Sequence, residues 1–269
     1  MTANNSAPRV ALVTGGADGI GLATGIVLAR DGYRVAIADL QIDLARQRAT
    51  DLGSGHLALR CDVSSETDVA AAMVEIEKTY GRLDAVVNNA GVGAPHLPTF
   101  EQTVEAFERV LHIHLTGTFL VSREALKLMT AARADGAGGA VVNVSSIAGL
   151  VGMPRRNAYG AAKAGIASMT RSMACEFARY GVRVNAVAPG FVATALVRKL
   201  ERDGFVDTKR LASRVPMGRL GQPEEIAEAI AFLCSPRASY INGTVLGVDG
   251  GWAAFGDAGL AADVPADAN

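Results

Sequence analysis

Cysteine, aromatic side chains and net charge are all scarce in this sequence. Its 269 residues include three cysteines, 5% aromatics, and 26 Lys and Arg against 27 Asp and Glu, a formal net charge of −1. That balance leaves no basic footprint for nucleic acid or for an anionic membrane. Cys61, Cys175 and Cys234 are odd in number and form no C-x-x-C pair. Buried free thiols in a reducing cytosol are therefore expected, rather than a disulfide framework. A long apolar run is missing as well. The longest uncharged stretch, 136–154, is interrupted by glycines and carries Asn143, Ser145 and Ser146 in its middle, whereas a membrane-spanning helix needs about 20 mostly apolar residues. Residues 1–8 are polar and lack the apolar core of a signal peptide. The expectation is a cytoplasmic protein with no membrane segment.

Apolar residues, at 49%, and glycine, at 30 residues, are plentiful. A single domain of this length buries roughly 75% of its unfolded surface, so no metal or disulfide staple is required. Short β-branched runs at 9–14, 34–39, 56–61, 85–88, 140–145, 183–188 and 244–248 alternate with Ala-rich stretches near 20–31, 42–52, 66–80, 101–133, 157–180 and 223–234. The runs are almost continuously apolar, as parallel strands covered on both faces must be. Helix starts are marked by Ser64 or Ser65 before Glu66, by Thr99 before Glu101, and by Pro223 followed by Glu224 and Glu225. The alternation predicts an α/β fold: a Rossmann-type, doubly wound parallel sheet of about seven strands in three layers, forming one domain over residues 1–269. Residues 1–8 read as a flexible N-terminus, 191–222 as a substrate lid following a strand's C-terminal end, and 253–269 as a tail that is mobile or packed on a neighbouring subunit.

Thr14-Gly15-Gly16-Ala17-Asp18-Gly19-Ile20-Gly21 lies between the first strand and the first helix. Glycines there let backbone approach a pyrophosphate, and a helix N-terminus offers unpaired N–H groups and partial positive charge. Asp39 ends the second strand, where a carboxylate can bond the ribose hydroxyls of a dinucleotide. At ~4 Å and an effective dielectric of ~20 it would oppose a 2′-phosphate by about 4 kcal/mol before screening. Asp18 adds negative charge, and no Arg or Lys is near either residue in the sequence. NAD is the expected cofactor, rather than NADP.

Tyr159 and Lys163 are one helical turn apart and share a face. Ser146 ends the fifth strand. A phenol with an ordinary pKa near 10 is a poor base at neutral pH, and an ammonium ~5 Å away stabilises phenolate by about 3 kcal/mol. That suits Tyr159 to general acid–base work. No zinc or iron set can be assembled from His56, His96, His112 and His114, and no G-x-S-x-G elbow is present.

Over nearly its whole length the chain resembles the classical short-chain dehydrogenases/reductases. Thr14-Gly-x-x-x-Gly-x-Gly21, Asp62-Val63, Asn88-Asn89-Ala90-Gly91, Ser146, Tyr159-x-x-x-Lys163, Pro189-Gly190 with Thr194, and Val248-Asp249-Gly250-Gly251 follow that family's order. The resemblance implies NAD bound by Gly15, Asp18, Gly19, Ile20, Gly21 and Asp39. It places Asp62 and Val63 at the adenine, Asn89 along the cleft, and Val192 and Thr194 at the nicotinamide amide. Tyr159 would exchange a proton with the substrate oxygen, Ser146 would bond that oxygen, and Lys163 would hold the nicotinamide ribose and lower the Tyr159 pKa. The reaction implied is hydride transfer between nicotinamide and the carbon of a secondary alcohol or ketone (a polyol, sugar or cyclic alcohol). A homotetramer is implied too, joined through helices 101–133 and 157–180 and through the last strand.

One position departs from the family. Where an Asn usually helps hold a relay water, three residues before Gly117, this chain has His114. A histidine donates, accepts and titrates near neutrality, so it either takes over the relay or crowds out the water; a core histidine without a role is the third reading. Replacement of His114 by Asn is expected to retain or raise activity. Arg155-Arg156, just before Tyr159, either meets an anionic substrate or faces solvent. Two rival functions stand beside the alcohol dehydrogenase. One is a 3-oxoacyl reductase for carrier- or CoA-bound thioesters. Many of these prefer NADPH and present basic residues near the end of the active-site helix; this chain has Cys175 and Tyr180 there, with only Arg171, Arg179 and Arg183 nearby, which tilts the reading away from it. The other is a catalytically weak NAD(H) sensor or scaffold. The substrate pocket is expected to come from 94–100, 147–156 and 191–215.

Overall fold

The computed structural model describes residues 7–93, 96–131, 138–204 and 206–256. Seven parallel strands form one sheet: β1 (Val10–Thr14), β2 (Arg34–Asp39), β3 (Leu57–Arg60), β4 (Ala85–Asn88), β5 (Gly139–Val144), β6 (Val182–Pro189) and β7 (Val245–Val248), in the order β3-β2-β1-β4-β5-β6-β7. Each predicted strand falls within a residue or two of an observed one. The register runs from Val10 beside Arg34 to Thr14 beside Ala38, and from Ala85 beside Ala140 to Asn88 beside Asn143. Helices α1 (Gly19–Arg30), α2 (Ile42–Asp51) and α9 (Pro223–Cys234) cover one face, and α3 (Glu66–Tyr80), α4 (Val104–Leu111), α5 (Gly117–Ala131) and α6 (Asn157–Phe177) the other. Two cores result. Val13, Ile37 and Val87 pack on Leu28, Ile226 and Ile230; Leu12, Val86 and Val141 pack on Ile76, Leu126 and Met173. The three-layer, single-domain architecture is the expected one.

Local chemistry sets the helix starts. The Ser65 hydroxyl accepts from the Asp68 N–H to cap α3. Pro223 opens α9, where the Gln222 N–H donates to the Glu225 carboxylate. Thr99 does not start a long helix: residues Thr99–Glu101 make one 3₁₀ turn, and Thr103 caps α4. Nor is 101–133 one α-helix. Its middle, His112–Thr116, is a π-turn between α4 and α5, and 132–133 lie outside the described residues. Within 191–222, α7 (Ala195–Arg202) and α8 (Thr208–Ser213) follow β6. Most of the predicted flexible N-terminus and of the tail lies outside the described residues. Cys61 and Cys234 are buried as expected, and burial pushes their thiols up to about 12. Cys175 instead faces solvent from α6.

Candidate active site

Strand order reverses direction between β1 and β4, and open α/β sheets bind ligands in the crevice outside the strand ends at such a switch. A cleft of about 720 Å³ opens there, lined among others by Gly15, Asp18, Gly19, Asp39, Asp62, Val63, Asn89, Gly91 and Thr194. Apart from Gly91 these are predicted residues, and they converge from five separate segments. Val192 is buried and pairs with Gly221 two residues before Thr194; Ile20 sits in the first turn of α1, packed on the core that covers it.

The glycine turn is held by polar groups paired to backbone. The Thr14 hydroxyl donates to Val87 O and accepts from the Asn89 and Ala90 N–H groups at 3.0 and 3.1 Å. The Asn89 amide donates to Thr14 O and Gly15 O, both at 3.0 Å. Gly15 has φ +60°, open to glycine at no steric cost. A Cβ at Gly21 would stand 2.1 Å from Gly15 O and 2.6 Å from the Asn89 amide nitrogen, so the helix can approach the turn only without a side chain. Asp18 caps α1 by accepting from the Gly19 N–H at 2.7 Å. Asp39 accepts from the Ala17 and Gln41 N–H groups at 3.1 and 3.0 Å. Asp62 accepts twice from Ser64, which holds its carboxyl below the usual range. Sequence distance misled in one respect. Arg48 reaches back from α2 and donates to Ala17 O at 3.3 Å, so a guanidinium does stand at this turn. Only the fold reveals it.

Past the ends of β4 and β5 the polar groups are arranged differently. Ser146 follows β5, and the Ser145 hydroxyl donates to Lys163 O at 2.9 Å, fixing α6 against the strand end. The Ser146 hydroxyl accepts from the Ala148 N–H and acts as a hydrogen-bond partner of the Tyr159 phenol. Lys163 is buried; its Nζ donates to Val144 O at 2.7 Å and stands 5.6 Å from the Tyr159 ring centre. Burial lowers its pKa to about 8. The same burial raises the Tyr159 phenol above its usual value, opposed by the Ser146 hydrogen bond and by the Arg156 charge. This differs from the expectation that the phenol would be brought down: desolvation outweighs the groups that favour its anion.

His114 completes the cluster from the π-turn. It is 3% exposed, with its ring edge-on to Tyr159 at 5.3 Å between centres. Its Nε2 lies 3.1 Å from the Val92 nitrogen and 2.9 Å from the Val92 oxygen, and Nδ1 has no partner among the described residues. Burial, aided by the Lys163 charge, lowers its pKa to about 4. His114 is therefore neutral at physiological pH, and the expected titration near neutrality is corrected. His112, two residues earlier, faces the cleft beside Asp62, so the two imidazoles diverge. Arg155 is exposed at φ +66°, a conformation costly for a side chain with a Cβ, and Arg156 lies over the Tyr159 ring at 5.9 Å. Of the few basic residues near the end of α6, Arg183 donates to Leu233 O and Ser235 O, and Arg179 to the Tyr180 hydroxyl. Residues 94–95 of the expected substrate pocket lie outside the described residues.

A parallel sheet with a glycine turn at its switch point defines a Rossmann-type α/β protein. Residues 15–253 match the family model described as enoyl-(acyl carrier protein) reductase. The cis-4-hydroxycyclohexanecarboxylate dehydrogenase of Sinomonas cyclohexanicum is 47% identical over 92% of this chain and 98% of its own length. An uncharacterized short-chain type dehydrogenase/reductase of Sinorhizobium fredii is 46% identical over 91% of this chain, which spans 43% of that longer protein. A 3-oxoacyl-[acyl-carrier-protein] reductase of Mus musculus is 40% identical, covering 90% and 97% of the two chains. Among solved structures, levodione reductase superposes with a TM-score of 0.84 at 35% identity, covering 91% of this chain and 98% of its own. The chain belongs to the short-chain dehydrogenase/reductase family. It is an oxidoreductase acting on CH–OH groups.

Proposed function

We propose that the protein is an NAD-dependent dehydrogenase of cyclic secondary alcohols, with Ser146, Tyr159 and Lys163 as its chemical centre. The observation that carries this reading is the convergence of these three side chains beside a cleft whose strand-end acid is Asp39. The residues fit a dinucleotide: Gly15 and Gly19 line the cleft, and at Gly15, held by the Asn89 amide, a Cβ would come within 2.9 Å of Ala90 Cα, so only bare backbone fits the turn. Gly15, Asp18, Gly19, Ile20, Gly21, Asp39, Asp62, Val63, Asn89, Val192 and Thr194 would hold the cofactor, which supplies the hydride-accepting ring. Asp39 favours a free 2′-hydroxyl through charge, against which Arg48 is a partial counterweight.

Ser146 holds the substrate oxygen in line with Tyr159, and Tyr159 accepts the hydroxyl proton. Lys163 keeps an ammonium close to that phenol, favouring its anion, and would bond the nicotinamide ribose. A cyclic alcohol is preferred because the relative named for cis-4-hydroxycyclohexanecarboxylate and the structure named for levodione both point to cyclic compounds. Reduction of 3-oxoacyl thioesters is the second reading, favoured by the mouse relative; the engaged state of Arg179 and Arg183 weighs against a carrier-docking patch. Cytoplasmic location and a homotetramer complete the proposal. Measuring NADH and NADPH formation over cyclic, polyol and 3-hydroxyacyl substrates tests it. Turnover of the cyclic alcohols with NAD is the expected result. Turnover restricted to thioesters, or NADH binding with no turnover of anything, would overturn it, the last outcome favouring a sensor.

A further inference from the structure

Arg155 and Arg156 adjoin the chemical half of the site but take no part in the proton and hydride steps. Met153-Pro154-Arg155-Arg156 is a tight turn, closed by the Arg156 N–H on Met153 O at 3.3 Å. Pro154 presets its second place, and Arg155 takes the third at φ +66°, where a type II turn ordinarily carries glycine or asparagine. Keeping a large charged side chain there strains the backbone, and strain of this kind gathers at ligand clamps. The turn leads directly into α6, so Arg156 precedes the helix and its guanidinium lies over the Tyr159 ring at 5.9 Å. Its donors are unspent. Arg48, Arg82 and Arg123 are half-buried like Arg156, and each holds a carboxylate, of Asp51, Asp84 and Glu124 respectively. Among the described residues Arg156 makes no ion pair and no side-chain hydrogen bond, and neither does Arg155. Glu101 lines a small cavity of about 60 Å³ together with Arg156 and Leu97, without an ion pair to the guanidinium. A guanidinium partly withdrawn from water, with its fork open, is suited to a planar carboxylate held by two parallel hydrogen bonds.

We propose that Arg156 determines specificity at the far end of the substrate by binding a carboxylate, so that the substrate is a cyclic secondary alcohol carrying an acid group a few bonds from its carbinol carbon. Arg155 strengthens the positive field at the same edge. The proposal rests on the alcohol dehydrogenase reading above and narrows it; the carboxylate is held as a spectator, and the proton and hydride still leave the carbinol. Reach decides where the negative charge comes from. With the carbinol oxygen bonded to Tyr159 and Ser146, an anion on Arg156 belongs to the same small molecule, because the phosphate of a carrier or CoA thioester would lie many bonds further out.

The experiment measures kcat/KM with NAD on a hydroxycyclohexanecarboxylate and on its carboxamide, which differs in charge, for the wild type, Arg156→Gln, Arg156→Lys and Arg155→Gly. The wild type should prefer the acid by about 30-fold. Arg156→Gln should erase that preference through a higher KM for the acid; a change in kcat from removing a charge beside Tyr159 falls on both compounds and cancels in the ratio. Lysine keeps the charge without the fork and should retain a preference of roughly fivefold. Arg155→Gly relieves the turn, so Tm should rise while the preference falls by about threefold, as suits a more exposed and better screened charge. Equal use of acid and amide by the wild type, or a preference that survives Arg156→Gln, would overturn the proposal. If the wild type oxidises neither compound, the cyclic-alcohol reading has failed, and titration of cyclohexanecarboxylate into the enzyme–NADH complex decides the role of Arg156 separately. Binding weakened about tenfold or more by Arg156→Gln then supports carboxylate recognition, and unchanged binding overturns it.

Discussion

The two halves of the cleft spend their polar groups in opposite ways. In the glycine turn nearly every polar side chain is paired to backbone: Thr14 and Asn89 tie β1 to β4, and Asp18 and Asp39 each answer N–H groups of the turn. Around Tyr159 the groups are buried and under-satisfied. Among the described residues Lys163 has a single backbone partner and His114 Nδ1 has none, and the phenol is pushed up by desolvation. Hydrogen bonds to backbone make a rigid cradle, whereas strained protonation states make a reactive centre. Substitutions in the first half should therefore cost stability and binding together. In the second they should cost turnover and can return stability.

Tyr159→Phe gives the sharpest contrast. It removes the proton acceptor and little else, so kcat should fall about 10³-fold or more with NADH affinity nearly unchanged. Gly21→Ala tests the other half: with a Cβ 2.1 Å from Gly15 O, the turn must open, and NADH binding and Tm should both drop. Lys163→Met should separate function from fold. Its pKa moves from 10.5 to about 8, so the folded state disfavours the charged form, and holding it at pH 7 costs roughly 3 kcal/mol. Between about pH 8 and 10.5 the unfolded chain binds more protons, so stability rises with pH through that window and the full cost is present below it. At pH 7 the methionine variant should melt higher while losing most turnover; a lower Tm would break the comparison. Asp39→Asn should raise the NADP-to-NAD ratio of kcat/KM by about tenfold, the unscreened charge effect being larger. The smallest effect concerns acid. His114 titrates at 6.5 when unfolded and about 4 when folded, so stability falls as pH drops through that interval, by roughly 3 kcal/mol in all. His114→Gln should flatten that acid limb in a denaturation series.

Much of this was readable from residue order. Continuous apolar runs mark strands buried on both faces, so β1, β2 and β4–β6 follow from pattern alone. Tyr159 and Lys163 follow from helical spacing and Ser146 from its place at a strand end. What escaped depends on contacts between distant segments or on backbone geometry without a composition signal. Arg48 meets Ala17 across 31 positions. The amide of Asn88 bonds Ser122 and Asn143, and Asn143 bonds Thr170, a buried network linking β4, β5, α5 and α6 that the spacing did not show. Thr99 and Thr103 are equally good caps on paper, and tertiary packing chose the second. Nothing in His-Ile-His-Leu-Thr announces a π-turn, nor does one exposed cysteine on an Ala-rich helix differ by sequence from two hidden ones.

The widened loop of backbone at His112–Thr116 has a mechanical reach beyond the imidazole it carries. One added residue turns everything downstream by about 100° around the axis. The same rod therefore leans on α6 with its first half and on α3 and β4 with its second. Deleting any residue of that segment would spin α5 by the same angle, bringing Phe119 inward to the place of Thr118 and carrying Leu120 out to the exposed place of Phe119. Length there is a fixed quantity, whatever the side chains.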